Sequence, residues 1–239
     1  MLLALDIGNS SIKWARFLSG RRVDGGRLPL DGDFGRLPQA ARAAAVAVNP
    51  AALARLRRAL PRLRVAGEDF QHGMFVDYRP PEACGLDRVL AVLGAMHRHP
   101  EAEAVLTLDL GTCLVGTVGV RGRGLLGGAI LPGFELMARA LAEGTALLPH
   151  VGWSARGPTL GRTTVESIHA GIWAALAGGA RELIRGCRAE IPEPLHVVAV
   201  GSGAGALALA VPEIDSLHPF ATLWGVYLAA EDGRSSQDA

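Results

Sequence analysis

Two short phrases of this chain place the same residue types in the same order. Asp6-Ile7-Gly8-Asn9-Ser10 follows the apolar run 2–5, and Asp109-Leu110-Gly111-Thr112-Cys113 follows the apolar run 104–108. Each reads as a buried strand that ends in a carboxylate and then turns at a glycine onto small polar residues. The chemistry this suits is phosphoryl transfer, which asks a protein for charge neutralisation, alignment and exclusion of water. A strand-end carboxylate can hold Mg²⁺ directly or through its waters. Gly8 and Gly111 let backbone approach a phosphate closely. Asn9, Ser10 and Thr112 add hydrogen-bond donors, and the turn N–H groups can form an anion-binding nest. A lone Asp-X-Gly is an ordinary turn signal; its recurrence after a second apolar strand points to two similar halves.

The elements that must carry these turns follow from hydrophobic pattern. Residues 2–6 predict the first strand, and 12–17 and 21–27 its hairpin partners across a turn at Leu18-Ser19-Gly20. A buried strand over 41–48, a helix over 51–60 and a short strand over 64–66 come next. Pro80 and Pro81 make 78–85 a loop, and 86–97 reads as a helix. The second half opens with a three-strand meander over 105–109, 116–121 and 125–130. A helix over 134–143, a loop over 151–161 and a long helix over 164–185 follow, with Thr164 as its N-cap. A strand over 195–200 runs into Gly201-Ser202-Gly203-Ala204-Gly205, a stretch that suits either an adenine ring lying on backbone or a plain turn. The last helix covers 220–230, and 231–239 reads as a frayed polar tail.

Composition narrows the function classes. The chain has 239 residues, 49% of them apolar and 20% charged, with a formal net charge of +1. That gives no overall field for nucleic acid or an anionic membrane. Lys13 is the one lysine among 24 basic residues, a bias that fits genome composition. Cys84, Cys113 and Cys187 are scattered, with no Cys-X-X-Cys pair, which fits a reducing compartment. The start lacks a basic leader, and no run of 18 uncharged apolar residues occurs, so a cytoplasmic protein is expected. The seven histidines show no metal-ligand spacing.

With these residues in view, the chain resembles the type III pantothenate kinases, a family within the acetate kinase, sugar kinase, heat-shock 70 and actin superfamily. Asp6 to Lys13 is similar to the family's first phosphate motif and Asp109 to Thr112 to its second. Tyr78-Arg79-Pro80-Pro81 followed by Gly85-Leu86-Asp87-Arg88 resembles its Gly-X-Asp-Arg signature. Gly127 to Gly133, Thr145 to Pro149, and Gly161 to Thr164 leading into Ser167 to Gly171 resemble the later segments in order. The resemblance implies an α/β fold of two ribonuclease H-like (actin-like ATPase) domains with a cleft between them, residues 1–103 and 104–230, and a disordered tail 231–239. It implies ATP-dependent phosphorylation of pantothenate to 4′-phosphopantothenate, the first step of coenzyme A synthesis. It also implies Mg²⁺, a monovalent cation (K⁺ or NH₄⁺), and a homodimer with a shared active site.

Carried onto this sequence, Asp87 is the expected catalytic base; its alternative is a helix N-terminal acid that favours the macrodipole. Arg88 would grip the substrate carboxylate with its planar fork, or form a surface ion pair. Tyr78, Gly85 and Thr164 complete the substrate set, with packing or capping as the plain alternatives for Tyr78 and Thr164. Asp6, Gly8, Asn9, Ser10, Lys13, Gly111 and Thr112 are expected at ATP and its phosphates, and Asp6 and Asp109 at the metal; Lys13 is otherwise a solvated cation. The stretch Cys113-Leu114-Val115-Gly116-Thr117 departs from the family's threonine-rich continuation, and Thr163 stands where Asn is common. These departures motivate a second expectation, a catalytically impaired family member that binds nucleotide or pantothenate and regulates.

Overall fold

The computed structural model describes residues 1–233 and divides into two compact units. Among the described residues, the first comprises Met1–Arg98 with 220–233, and the second His99–Pro219. No helix among the described residues is long and apolar enough to cross a membrane.

In the first unit, β1 (Leu2–Ile7) is buried along its whole length. It pairs antiparallel with β2 (Ser11–Leu18) and parallel with β4 (Arg42–Ala47). With β3 (Arg21–Pro29) and β5 (Leu63–Val65) the sheet runs β3-β2-β1-β4-β5. The β2–β3 turn carries Ser19 at φ 48° and Gly20 at φ 74°, the two left-handed residues that match a tight hairpin to strand twist. A strand covered on both faces needs apolar residues at nearly every position, and in β1 Asp6 is the one exception. Accordingly, Leu2 and Ala4 join Ala15, Phe17, Ala44 and Val46 on one face, and Leu3, Leu5 and Ile7 join Ile12 and Ala45 on the other.

The second face is covered by α1 (Pro50–Ala59) through Ala52 and Leu56. This helix starts where Asn49 Oδ1 accepts from Ala52 N at 3.0 Å, with proline in its first turn. The first face is covered by α2 (Leu86–Arg98) and by the last helix, named α6 in chain order (Ala221–Asp232). Gly94 and Gly225 sit where any Cβ would strike the backbone of Ala221 and of Leu90, so both helices approach closely only with glycine there.

The second unit repeats the plan. β6 (Ala104–Leu110) pairs antiparallel with β7 (Cys113–Val120), which pairs with β8 (Gly124–Pro132), and parallel with β9 (Leu195–Val200). β10 (Ser216–Leu217) is the far edge, giving the order β8-β7-β6-β9-β10. Helices α3 (Phe134–Gly144), α4 (Thr164–Glu190) and α5 (Ala204–Ala210) complete it. Both units thus have a central first strand, two antiparallel neighbours on one side and two parallel ones on the other. That is the ribonuclease H-like topology expected, in duplicate.

Three expectations need revision. The last helix packs in the first unit and not with 104–230, because Leu223, Val226, Ala229 and Ala230 bury on the β1–β2–β4 face beside Leu90. Within 231–239, Glu231 and Asp232 belong to α6, and 234–239 lie outside the described residues. The cap of α4 is Thr163, whose extended backbone (φ −128°, ψ 162°) lets its hydroxyl accept from Glu166 N, whereas Thr164 is already helical.

Candidate active site

In the first unit the turn after β1 is closed by Gly8 N donating to Ser11 O at 3.1 Å, which leaves Asn9 and Ser10 exposed at its tip. Strand register places Asp6 opposite Lys13 and Lys13 opposite Arg27, so one row across β1, β2 and β3 reads carboxylate, ammonium, guanidinium. Lys13 Nζ lies 3.4 Å from Asp6 Oδ2, and the Asp6 side chain is 10% exposed. Lys13 is therefore held on the aspartate and is not merely solvated. Arg27 Nε donates to Ser11 Oγ at 2.7 Å, which turns the guanidinium toward the glycine turn. Ser11 lies within the Asp6 to Lys13 motif, whereas Arg27 reaches it only through strand register.

The expected acceptor-side residues gather at the start of α2. Asp87 and Arg88 occupy its first turn. The Asp87 carboxylate lies over Gly85, where a Cβ would come within 2.5 Å of Oδ1. Arg88 is buried, and its guanidinium carbon lies 5.4 Å from the centre of the Tyr78 ring. Burial pushes the neighbouring Cys84 thiol above its usual range; the Arg88 charge opposes that shift and the Asp87 charge adds to it. Tyr78, Gly85, Asp87 and Arg88 thus form one cluster, with an acid, a fork-shaped cation and a phenol.

In the second unit Asp109 lies on β6, opposite Val115 and beside Val200 of β9. Its carboxylate rests against Gly201 (φ 82°), where any side chain would collide with it. Gly111 N donates to Cys113 O at 2.9 Å, and Gly133 N donates to Thr112 O at 3.0 Å. Gly133 and Gly203 admit no Cβ against the backbone of Gly111–Thr112 and of Leu110. The second turn is therefore walled by glycine backbone from the end of β8 and the end of β9. Gly201 to Ala204 supply that wall and the start of α5, a helix too short to show a period in sequence. Thr117, in the stretch that departs from the family pattern, is buried on β7 and accepts at its backbone oxygen from Thr107 Oγ1 at 3.3 Å.

Thr164 lines an apolar groove of about 570 Å³ between α3 and α4, with Met137, Leu141, Leu148, Ile168 and Ile172. Beside it Leu147 is 91% exposed.

The donor set suits Mg²⁺. Each Asp-X-Gly turn offers a strand-end carboxylate, and the first adds exposed hydroxyl and amide groups. Mg²⁺ binds through few protein oxygens and keeps several waters for itself and substrate phosphates.

The sequence matches the family model described as type III pantothenate kinase over residues 2–186. A type III pantothenate kinase of Nitratidesulfovibrio vulgaris (strain DP4) is 32% identical over 251 aligned residues, covering 95% of both chains. One of Legionella pneumophila (strain Paris) is 33% identical over 159 residues; that match spans 66% of this chain and 62% of the relative's length. Among solved structures, a Campylobacter jejuni protein described as a Baf family transcriptional activator aligns with a TM-score of 0.66 at 16% identity, over 98% of this chain and 99% of that one. At that identity the likeness speaks for the fold alone. Duplicated ribonuclease H-like units, twin Asp-X-Gly turns and a Gly-X-Asp-Arg helix start, read with a family match over most of its length, place this chain in the type III pantothenate kinase family.

Proposed function

We propose that the chain transfers the γ-phosphoryl group of ATP to the terminal hydroxyl of pantothenate, giving 4′-phosphopantothenate. The observation that carries the acceptor side is the cluster at the start of α2, with Asp87 over Gly85 and Arg88 buried under Tyr78. In this reading Asp87 accepts the hydroxyl proton as the phosphoryl group moves. Arg88 binds the pantothenate carboxylate bidentately, Tyr78 donates a hydrogen bond, and the absent side chain at Gly85 leaves the Asp87 carboxylate room. Asp6 and Asp109 hold Mg²⁺ and phosphate, with Gly8, Asn9, Ser10, Gly111 and Thr112 cradling the phosphates. Mg²⁺, when bound, neutralises charge on the phosphoryl oxygens. Lys13 adds a cation, and so does Arg27, aimed by Ser11.

The monovalent cation, K⁺ or NH₄⁺, rests on the family resemblance, and rates measured with K⁺, NH₄⁺ and Na⁺ test it. A cytoplasmic location fits three free thiols and a metabolic substrate. The homodimer fits the apolar α3–α4 groove, which a second copy would cover, bringing its surface to Thr164. Leu141→Arg should convert a dimer to monomer in sedimentation velocity; an unchanged dimer places the interface elsewhere.

The activity is tested by pantothenate-dependent ADP release with a panel of small alcohols as competitors. Pantothenate should give the highest kcat/KM; another alcohol outrunning it reassigns the substrate. Arg27→Ala should raise KM for ATP about tenfold, the value of a charge-assisted contact, with KM for pantothenate unchanged. An unaltered KM for ATP would remove Arg27 from the phosphate site.

A further inference from the structure

Away from the residues assigned above, one set of metal-ligating side chains converges on a single point of the second unit. His99 leads toward β6, His196 lies on β9, and Ser216 opens β10. Nε2 of His99 and Nε2 of His196 each lie 3.0 Å from Ser216 Oγ. The two rings are 4.2 Å apart between centroids, tilted by 39°. Behind His99, Nδ1 lies 3.4 Å from Glu101 Oε1.

With both imidazoles neutral and Glu101 ionised, one proton arrangement satisfies these contacts. His99 gives its Nδ1–H to Glu101, which leaves a lone pair on Nε2. The Ser216 hydroxyl donates to that lone pair, and its oxygen accepts the Nε2–H of His196. A carboxylate behind one imidazole, with the other ring nitrogen aimed forward as a lone pair, is the arrangement that orients a metal-bound histidine.

We propose that His99, His196 and Ser216 form a binding site for a borderline divalent cation of the Zn²⁺ class. Metal–nitrogen distances of about 2.0–2.1 Å set tetrahedral ligand edges near 3.3 Å, so the two 3.0 Å edges open slightly and both rings swing from the Ser216 oxygen toward a common point as the ion enters. His196 moves its proton from Nε2 to Nδ1 and offers the freed lone pair; Ser216 binds through its neutral oxygen, and water completes the shell. Two imidazoles favour Zn²⁺, Cu²⁺ or Ni²⁺ over Mg²⁺, which prefers oxygen. Among the described residues no group of three His, Cys, Asp or Glu is placed for a metal; here the third donor is a hydroxyl. The ligands stand 97 and 20 residues apart, so no spacing in the sequence announces them. His99 is the first residue of the second unit, and Ser216 lies just before its last, Pro219, so the bound ion would tie together both ends of this unit's chain.

Isothermal titration of the full chain with ZnCl₂ in excess Mg²⁺ should show one equivalent bound. Glu101→Gln should weaken it about 10–100-fold, the usual effect of removing an outer carboxylate. His99→Ala and His196→Ala should abolish it, and His150→Ala should leave it unchanged. Should an alanine variant fail to fold, Co²⁺ added to the wild type still decides, by broadening the ring NMR signals of His99 and His196 before those of other histidines. Absence of Zn²⁺ binding, full binding by both folded histidine variants, or first broadening at other histidines would each overturn the site and leave a hydrogen-bonded clasp.

Discussion

Asp87→Asn should lower kcat for pantothenate phosphorylation by at least about a hundredfold while leaving KM for ATP and the fold intact. The amide keeps the size and one acceptor oxygen of the carboxylate but cannot take the hydroxyl proton. Its site tolerates the exchange, because the space beneath it is the missing side chain of Gly85 and not a packed partner. The Arg88 grip on the substrate carboxylate should survive, so KM for pantothenate should move little. Steady-state rates with circular dichroism of the variant check this. Normal turnover by a folded Asp87→Asn protein would make Asp87 only a favourable charge at a helix start.

Asp6→Asn should cost about 10²–10³ in kcat/KM, the scale of losing one preorganised charge contact to a developing transition state. It should also shift the Mg²⁺ requirement to higher concentration, a response that a purely structural role would not give. The side chain is nearly buried and pairs with Lys13, so the substitution also removes the lysine's counter-charge. Lys13 would then be freer to bind phosphate in the ground state, so KM for ATP should rise less than kcat falls. Rates across a Mg²⁺ series separate these terms. An unchanged Mg²⁺ dependence would remove Asp6 from the metal.

Much of this was legible in the sequence where local pattern decides. Buried strands announced themselves as continuous apolar runs, so residues 195–200 were placed to the residue and the meander near its true bounds. The Asp-X-Gly turns were legible because few residue types fit a carboxylate–glycine turn after such a run. Legibility failed where distant parts of the chain decide. The last helix is apolar on nearly every side, and nothing in its own residues tells which sheet it covers. Thr163 and Thr164 are equivalent by type, and only backbone angle selects the cap. α5 and the two-residue β10 are too short for a period to show. Arg27 gained its place through strand register, and Gly201 through an aspartate 92 residues earlier.

The departure at Cys113–Thr117 motivated the expectation of an impaired regulator. The structure absorbs it as packing: Leu114 and Thr117 are buried, and Val115 faces Asp109 across the ladder where the first unit has Lys13 opposite Asp6. The second turn is thus the less positive of the two. If both serve phosphate, Asp6 and Lys13 carry the larger share, and Gly111–Thr112 contributes mainly backbone and hydroxyl donors.

The most direct measurement is transfer of label from γ-labelled ATP to pantothenate by the purified chain with Mg²⁺ and K⁺. Repeated turnover to labelled 4′-phosphopantothenate, lost in Asp87→Asn, is the expected result. ATP and pantothenate binding to the wild-type protein with no labelled product under any monovalent cation would contradict the account.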